Sequence, residues 1–256
     1  MLLTKSSNPV LSDRTFAQDR TYGQETMTLN GTINKTALML LLVIAGAVFT
    51  WGKFSSAFNS EAPETAMSAI MPWLLIGGIG GFITALVTSF RPKSASISAP
   101  IYAVLQGLFL GGISAIFEMQ FTGIVMRAVA LTLGVFVVML MLYRSRVITV
   151  TDKFRMGVLA ATGGIALVYV GSFIASLFGV SVGFLHDSST LSIGISLLVV
   201  GVAALNLMLD FDFIERASNS GAPAHMEWFG AFGLMVTLIW LYLELLRLLS
   251  KLARRD

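Results

Sequence analysis

Seven apolar runs divide this sequence, and they constrain its fold more than any other feature. They occupy residues 36–54, 70–90, 100–119, 124–143, 156–179, 190–209 and 227–249. A transmembrane helix needs about 20 mainly apolar residues to cross about 30 Å of hydrocarbon. Because lipid offers no partner to a backbone N–H or C=O group, such runs cross a membrane as helices. The sequence therefore predicts an all-α, polytopic membrane helix bundle with about seven transmembrane helices.

The composition places this chain in a lipid bilayer rather than in water. Hydrophobic residues make up 55% of the chain and charged residues only 12%, whereas a soluble domain has about a quarter of its residues charged. We expect a single seven-helix transmembrane domain over residues 36–250. A polar N-terminal tail, residues 1–35, precedes it and is expected to be cytoplasmic and partly disordered. A short basic tail, residues 251–256, follows it.

The positive charges lie in short loops between the apolar runs. The net charge is +3, and the loops 91–98 and 144–155 carry several Lys and Arg residues. The positive-inside rule assigns such loops to the cytoplasm, and this distribution argues against nucleic acid as a partner. Seven crossings from a cytoplasmic N-terminus put the basic C-terminal tail outside, against the same rule. A last segment that does not fully cross would bring the tail inside, and the sequence leaves both arrangements open.

The sequence lacks the motifs of intramembrane enzymes and of cofactor-binding proteins. It contains no His-Glu-x-x-His, Gly-x-Gly-Asp or Gly-x-Ser-x-Gly and no cysteine. Its only two histidines, His186 and His225, lie in separate loops. The last apolar run has no mid-membrane lysine that could bind retinal. We therefore expect no enzyme activity, no cofactor and no certain metal site.

Acidic residues within or beside the apolar runs are the first candidates for function, because a charge at a helix centre costs about 2.5–3.5 kcal/mol on insertion scales. Asp210 and Asp212 end the sixth run and lie about 200° apart around a helix, so they cannot both face one partner. Asp212 could pair with Arg216, four residues on. Glu244 lies among apolar residues, where Arg247 could neutralise it from the same helix. We predict Asp210, Asp212 and Glu244 as ion- or proton-sensing residues.

Five short segments, in order along the chain, resemble one family of membrane proteins. They are residues 7–10 (Ser-Asn-Pro-Val), 31–36 (Gly-Thr-Ile-Asn-Lys-Thr), 99–111 with its tyrosine–alanine and glycine–leucine pattern, Asp210 with Ile214, and 241–247 (Leu-Tyr-Leu-Glu-Leu-Leu-Arg). Together they resemble the Bax inhibitor-1 family (transmembrane Bax inhibitor motif proteins, including YccA-like members). The first two segments resemble its bacterial branch, and the resemblance covers nearly the whole chain.

The resemblance implies a seven-helix fold in a bacterial inner membrane, with the last helix central and ringed by the other six. Some members are similar to proton-regulated calcium leak channels, in which two aspartates on the sixth and seventh helices share a proton. Two close carboxyl groups perturb each other's titration, so protonation can open or close a pore near neutral pH. Arg91, at the end of the second run, stands where some members carry a basic partner for the sixth-helix aspartate.

The sequence departs from the family pattern at the second carboxylate. If the Leu-Tyr-Leu segments are aligned, Glu244 takes the place of the second aspartate. If Leu-Leu-Arg is aligned without gaps, that aspartate falls on Thr237, seven residues earlier and on nearly the same helix face. Gln106 also stands where many members carry glutamate. The two-carboxylate sensor is therefore either absent or rebuilt from Asp210 or Asp212 with Glu244.

Three functions fit these observations. The first is a pH-responsive cation leak channel, with calcium and protons as the ions concerned. The alternative is a non-conducting regulator that binds other membrane proteins, in a stress response or in protease modulation. A secondary transporter is less well supported, because the sequence shows no convincing internal repeat.

Overall fold

The chain forms seven long helices in a computed structural model, which describes residues 25–60, 63–179, 187 and 189–255. The helices are α1 (Leu29–Phe58), α2 (Ala66–Phe90), α3 (Ala95–Gln120), α4 (Ile124–Arg144), α5 (Asp152–Leu177), α6 (Thr190–Asn219) and α7 (Met226–Ala253). All seven are long and apolar enough to cross a membrane, which confirms the predicted all-α, polytopic helix bundle. The N-terminal tail up to residue 24, including the motif at 7–10, and His186 lie outside the described residues.

Some helices extend beyond the apolar runs. The residues at which these helices begin and end depend on local hydrogen bonds and turns rather than on hydropathy. α1 begins at Leu29 rather than at residue 36, since the Thr28 hydroxyl accepts a hydrogen bond from the Gly31 N–H at 2.9 Å. α6 continues from residue 209 to Asn219, and the turn after it contains Gly221 with a φ of 68°. The aspartates predicted to end the sixth span therefore lie inside α6. Lys251, assigned to the C-terminal tail, likewise lies inside α7.

The helices are divided between two compact units. The first unit consists of Met1–Ile116 with Phe213–Met235, and the second of Phe117–Asp212 with Val236–Asp256. Within the described part of the chain, α1, α2 and most of α3 belong to the first unit, together with the end of α6 and the start of α7. The second unit contains α4, α5 and the remainder of α6 and α7.

In the first unit, α1 and α2 each approach α3 closely at glycines. A Cβ atom added to Gly46 of α1 would lie 2.8 Å from the carbonyl oxygen of Val104, and one added to Gly77 of α2 would lie 2.5 Å from that of Leu105. Only a residue without a side chain allows two backbones to come this close. Any larger residue at either position would push the two helices apart.

The start of α7 is joined to the N-terminal part of the first unit through Glu227. Its carboxylate accepts hydrogen bonds from the N–H and the hydroxyl group of Thr28, both at 2.8 Å, and forms an ion pair with Lys35 of α1. Glu227 is buried. Because this buried acid has a cation and two hydrogen-bond donors, we interpret it as a structural contact between the ends of two helices.

α7 is the most buried of the seven helices. In its most apolar window 78% of the residues are buried, against at most 44% in each of the other six helices. Polar side chains on α7 are therefore set among protein groups, where an ionisable residue is a candidate for function. The central position of the last helix, which the family resemblance implies, stays a prediction.

Candidate functional site

Polar side chains line one face of each of three helices in the second unit. We call the following ten residues the polar stripe: Arg155, Thr162 and Tyr169 on α5, Ser192, Ser196, Asn206 and Asp210 on α6, and Thr237, Glu244 and Lys251 on α7. The residues on α5 and α7 recur every seven positions, close to two helical turns, so each set shares a face. The four residues on α6 lie within about 80° of each other around the helix. All ten are buried or half-buried.

Glu244 occupies the middle of the polar stripe on α7 and is almost completely buried, with 2% of its surface exposed. Arg247, one turn later, places its Nη1 atom 2.9 Å and 3.0 Å from the two carboxylate oxygens. The Tyr169 hydroxyl of α5 donates to the carboxylate at 3.0 Å, and the Trp240 ring N–H donates at 3.3 Å. The ion pair that the sequence suggested between Glu244 and Arg247 is therefore confirmed.

The same arginine also holds the tyrosine. Arg247 Nη1 donates to the Tyr169 hydroxyl oxygen at 2.8 Å, and the guanidinium group lies 5.2 Å from the centre of the Tyr169 ring. Glu244, Arg247 and Tyr169 thus form a closed triangle between α5 and α7. Such a fully bonded, neutralised group fixes the distance between two helices.

Asp210 has a different environment from Glu244. One oxygen of its carboxyl group is hydrogen-bonded by the Thr237 side chain of α7. The other, Oδ2, is buried and has no hydrogen-bond partner among the described residues. Thr237 is the position on which the gapless alignment puts the family's second aspartate, so a neutral hydroxyl group faces Asp210 where that alignment expects a second acid.

The structure does not join the predicted pair Asp210 and Glu244. Within the described part of the chain, the hydrogen-bond and ion-pair partners of Glu244 are Tyr169, Trp240 and Arg247. Glu244 also lies about 10 Å along α7 from Thr237, the residue that contacts Asp210. In this conformation the two carboxyl groups therefore do not share a proton.

Asp212 has a basic partner that sequence reasoning did not assign to it. Arg155 Nη2, in the first turn of α5, lies 2.9 Å from Asp212 Oδ2. Only 19% of the arginine side chain and 15% of the aspartate side chain are exposed. Arg155 also lies 3.8 Å from Asp152, which is mostly exposed. The contact joins α5 to α6 at the end of the polar stripe near Asp210.

Arg91, a predicted basic partner, and Gln106, a position where the sequence departs from the family, carry no comparable interaction in the first unit. Arg91 ends α2, its side chain is exposed, and it forms no ion pair with a described residue. Gln106 is half-buried on α3, with its side-chain amide packed against the backbone of Gly81 on α2. It fills space beside a glycine and carries no charge.

Two further contacts complete the polar stripe along the membrane-spanning helices. Near its middle, the Asn206 side-chain amide of α6 donates to the Thr162 hydroxyl oxygen of α5 at 2.8 Å. At the end opposite Asp210, Lys251 Nζ donates to the Ser196 hydroxyl oxygen at 2.8 Å. Polar groups therefore bridge α5, α6 and α7 at intervals from Asp210 to Lys251.

Sequence reasoning found the acids of the polar stripe but missed most of their neighbours. Tyr169 and Asn206 each look ordinary alone, because one polar residue in an apolar run is common, and Lys251 follows the last run and looks like a tail residue. The signal that could have found Tyr169 and Lys251 is the seven-residue spacing of polar positions on α5 and on α7, whereas no such spacing marks Asn206 on α6. The sequence indicates Arg155 only as one of the basic residues at the end of the loop 144–155.

The three predicted acids differ in whether a basic side chain neutralises them. Among the described residues, no group of three or more His, Cys, Asp and Glu side chains is placed to hold a metal ion. Asp212 and Glu244 each have a basic partner, whereas Asp210 is contacted by a hydroxyl group. Asp210 is therefore the carboxyl group most available to a cation or a proton.

Comparison with known proteins identifies a matching family. A family model described as Bax inhibitor 1 like matches residues 8–254. No curated protein and no solved structure matches the chain.

Proposed function

The chain belongs to the Bax inhibitor 1-like family and is a multi-pass membrane protein, and on that premise we propose that it is a cation leak channel whose flux responds to pH through Asp210. The proposed ion is calcium and the proposed location is a bacterial inner membrane, as the family resemblance implies. The observation that carries the proposal is the buried, unbonded oxygen of Asp210 within a polar stripe between apolar helices.

An ionised carboxyl group in this position attracts cations, because charge interactions are strong where water is scarce. Protonation removes the charge and turns the unbonded oxygen into a donor that can bind a neighbouring group. Proton and metal cation therefore compete for the same side chain. From this competition we expect cation flux to be higher when Asp210 is ionised and to fall as the pH is lowered.

The role of Asp210 is tested by calcium flux into liposomes that contain the purified full-length protein. We expect flux in the wild type to fall when the pH is lowered from about 8 to about 6. In Asp210→Asn the side chain is neutral at every pH, as a protonated aspartate is, so the calcium flux of this variant should be low and independent of pH. Glu64→Gln, which neutralises an exposed acid before α2, is the matched control and should behave like the wild type.

Two results would refute parts of this proposal. Equal calcium flux from the wild type and Asp210→Asn at every pH would remove the role of Asp210. Flux from wild-type liposomes no greater than from liposomes without protein would refute the channel itself. The second result would favour the alternative, a non-conducting regulator that binds other membrane proteins, and a stoichiometric partner recovered in mild detergent would then support it.

A further inference from the structure

Asn206 lies one turn before Asp210 on α6 and belongs to the same face of that helix. The two residues are four positions apart, so their Cβ atoms are separated by about 5–6 Å. Asn206 is half-buried and lies roughly 20 Å or more from either end of α6. Its polar atoms need partners from the protein or from a ligand, because lipid supplies none at this depth.

The amide group of Asn206 uses its nitrogen but not its oxygen. The nitrogen donates to the Thr162 hydroxyl oxygen of α5 and to the Val202 carbonyl oxygen of α6, both at 2.8 Å. A carbonyl group only accepts hydrogen bonds, so the amide atom beside Val202 is the nitrogen, and the orientation of the amide is fixed. The amide oxygen, Oδ1, is directed away from Val202 and accepts no hydrogen bond from a described residue.

Two unbonded acceptor oxygens therefore belong to neighbouring turns of one helix face. They are Oδ1 of Asn206 and the buried Oδ2 of Asp210. An ionised carboxylate and an amide oxygen both only accept, so they cannot bond each other. A cation can satisfy both, since calcium lies about 2.3–2.6 Å from its oxygen ligands and can bridge oxygens up to about 5 Å apart. Side chains one helical turn apart reach this separation.

We propose that Asn206 Oδ1 and Asp210 Oδ2 together form a binding site for a divalent cation. The proposal rests on the proposed function for the role of Asp210 and adds a second ligand to it. Carboxylate and amide oxygens are ligands that hard cations such as calcium take. Because the site joins one acid to one neutral oxygen, it holds a cation weakly enough to release it, as conduction requires.

The test measures calcium binding and calcium flux separately, in both cases with the full-length protein. Binding is measured in uncharged detergent at about pH 8, as the calcium-dependent rise of the thermal unfolding temperature. Flux is measured as calcium uptake into liposomes. Asn206→Leu removes the oxygen at a similar side-chain volume, whereas Thr162→Val breaks the bridge to α5 and keeps the oxygen. Asn219→Leu, at an exposed asparagine of α6, is the matched control.

We expect calcium to bind the wild type and Asn219→Leu equally, and to bind Asn206→Leu at least about fivefold more weakly. Thr162→Val should keep most of the calcium affinity, because only the partner of the amide nitrogen is lost. Asn206→Asp, which replaces the neutral oxygen by a charged one, should bind calcium at least as tightly as the wild type.

Equal calcium affinity in the wild type and Asn206→Leu would overturn the proposal, and so would the absence of calcium-dependent stabilisation in the wild type. Equal losses in Asn206→Leu and Thr162→Val would also overturn it, since Asn206 would then act only as a bridge between helices. Binding that is lost in Asn206→Leu, without any wild-type flux, would support the site and refute the channel. Flux that depends on Asp210 but not on Asn206 would keep the channel and refute the second ligand.

Discussion

Replacing Arg247 by methionine would leave the carboxylate of Glu244 buried without its cation. Removing one partner of a buried ion pair costs about 3–5 kcal/mol. The cost here is smaller, because 41% of the Arg247 side chain is exposed and water screens part of the pair. Tyr169 and Trp240 also keep donating to the carboxylate. We therefore expect Arg247→Met to lower the free energy of unfolding by about 1.5–3 kcal/mol, the range of hydrogen bonds to charged groups.

The assay is unfolding by a denaturing detergent in mixed micelles, followed by the loss of helical circular dichroism. The double variant Glu244→Gln with Arg247→Met should recover most of the lost stability, since glutamine still accepts from Tyr169 and no buried charge remains. Glu244→Gln alone is the control, because its unpaired arginine can turn toward the solvent. Wild-type stability in Arg247→Met, or a double variant no more stable than that single variant, would refute the account of Glu244 as a buried acid neutralised by Arg247.

Two further predictions concern the neighbourhood of Asp210. In a double-mutant cycle, Arg155→Gln and Asp212→Asn should show a coupling energy of about 1 kcal/mol in the same unfolding assay, because both side chains of this ion pair are mostly buried. If the losses of unfolding free energy in the two single variants add up to the loss in the double variant to within about 0.3 kcal/mol, the pair contributes nothing to stability. Thr237→Asp should place a second carboxyl group against Asp210, so that calcium flux plotted against pH shows two titration steps instead of one. A single step in that variant would contradict the placement of Thr237 beside Asp210.

The number and type of the helices were predictable from sequence, but their ends were not. In lipid, each long apolar run must form its backbone hydrogen bonds within itself, as a helix does, so hydropathy alone predicts seven helices. The ends depend on particular hydrogen bonds, such as that between Thr28 and Gly31, which lie outside the apolar runs. For this reason Asp210 was predicted at the end of the sixth helix and is found within it.

The acids of the candidate site were predictable because a charge inside an apolar run is costly and therefore conspicuous. Their local partners were predictable too, since Arg247 lies three residues from Glu244 on the same helix. Partners from other helices were not. Tyr169 is 75 residues from Glu244 in sequence, and Arg155 is 57 residues from Asp212. No spacing rule joins such pairs before the packing of α5 against its neighbours is known.

The placement of Glu244 and Asp210 restricts how protons can act on this protein. Glu244 is held by Arg247, Tyr169 and Trp240, and it lies about 10 Å along α7 from the residue that contacts Asp210. A proton taken up by Asp210 could be shared with Glu244 only if Glu244 first left its arginine, and separating a buried ion pair is costly. The conformation described here therefore assigns different tasks to the two acids. Glu244 holds α5 to α7, and the pH response that we propose rests on Asp210 alone.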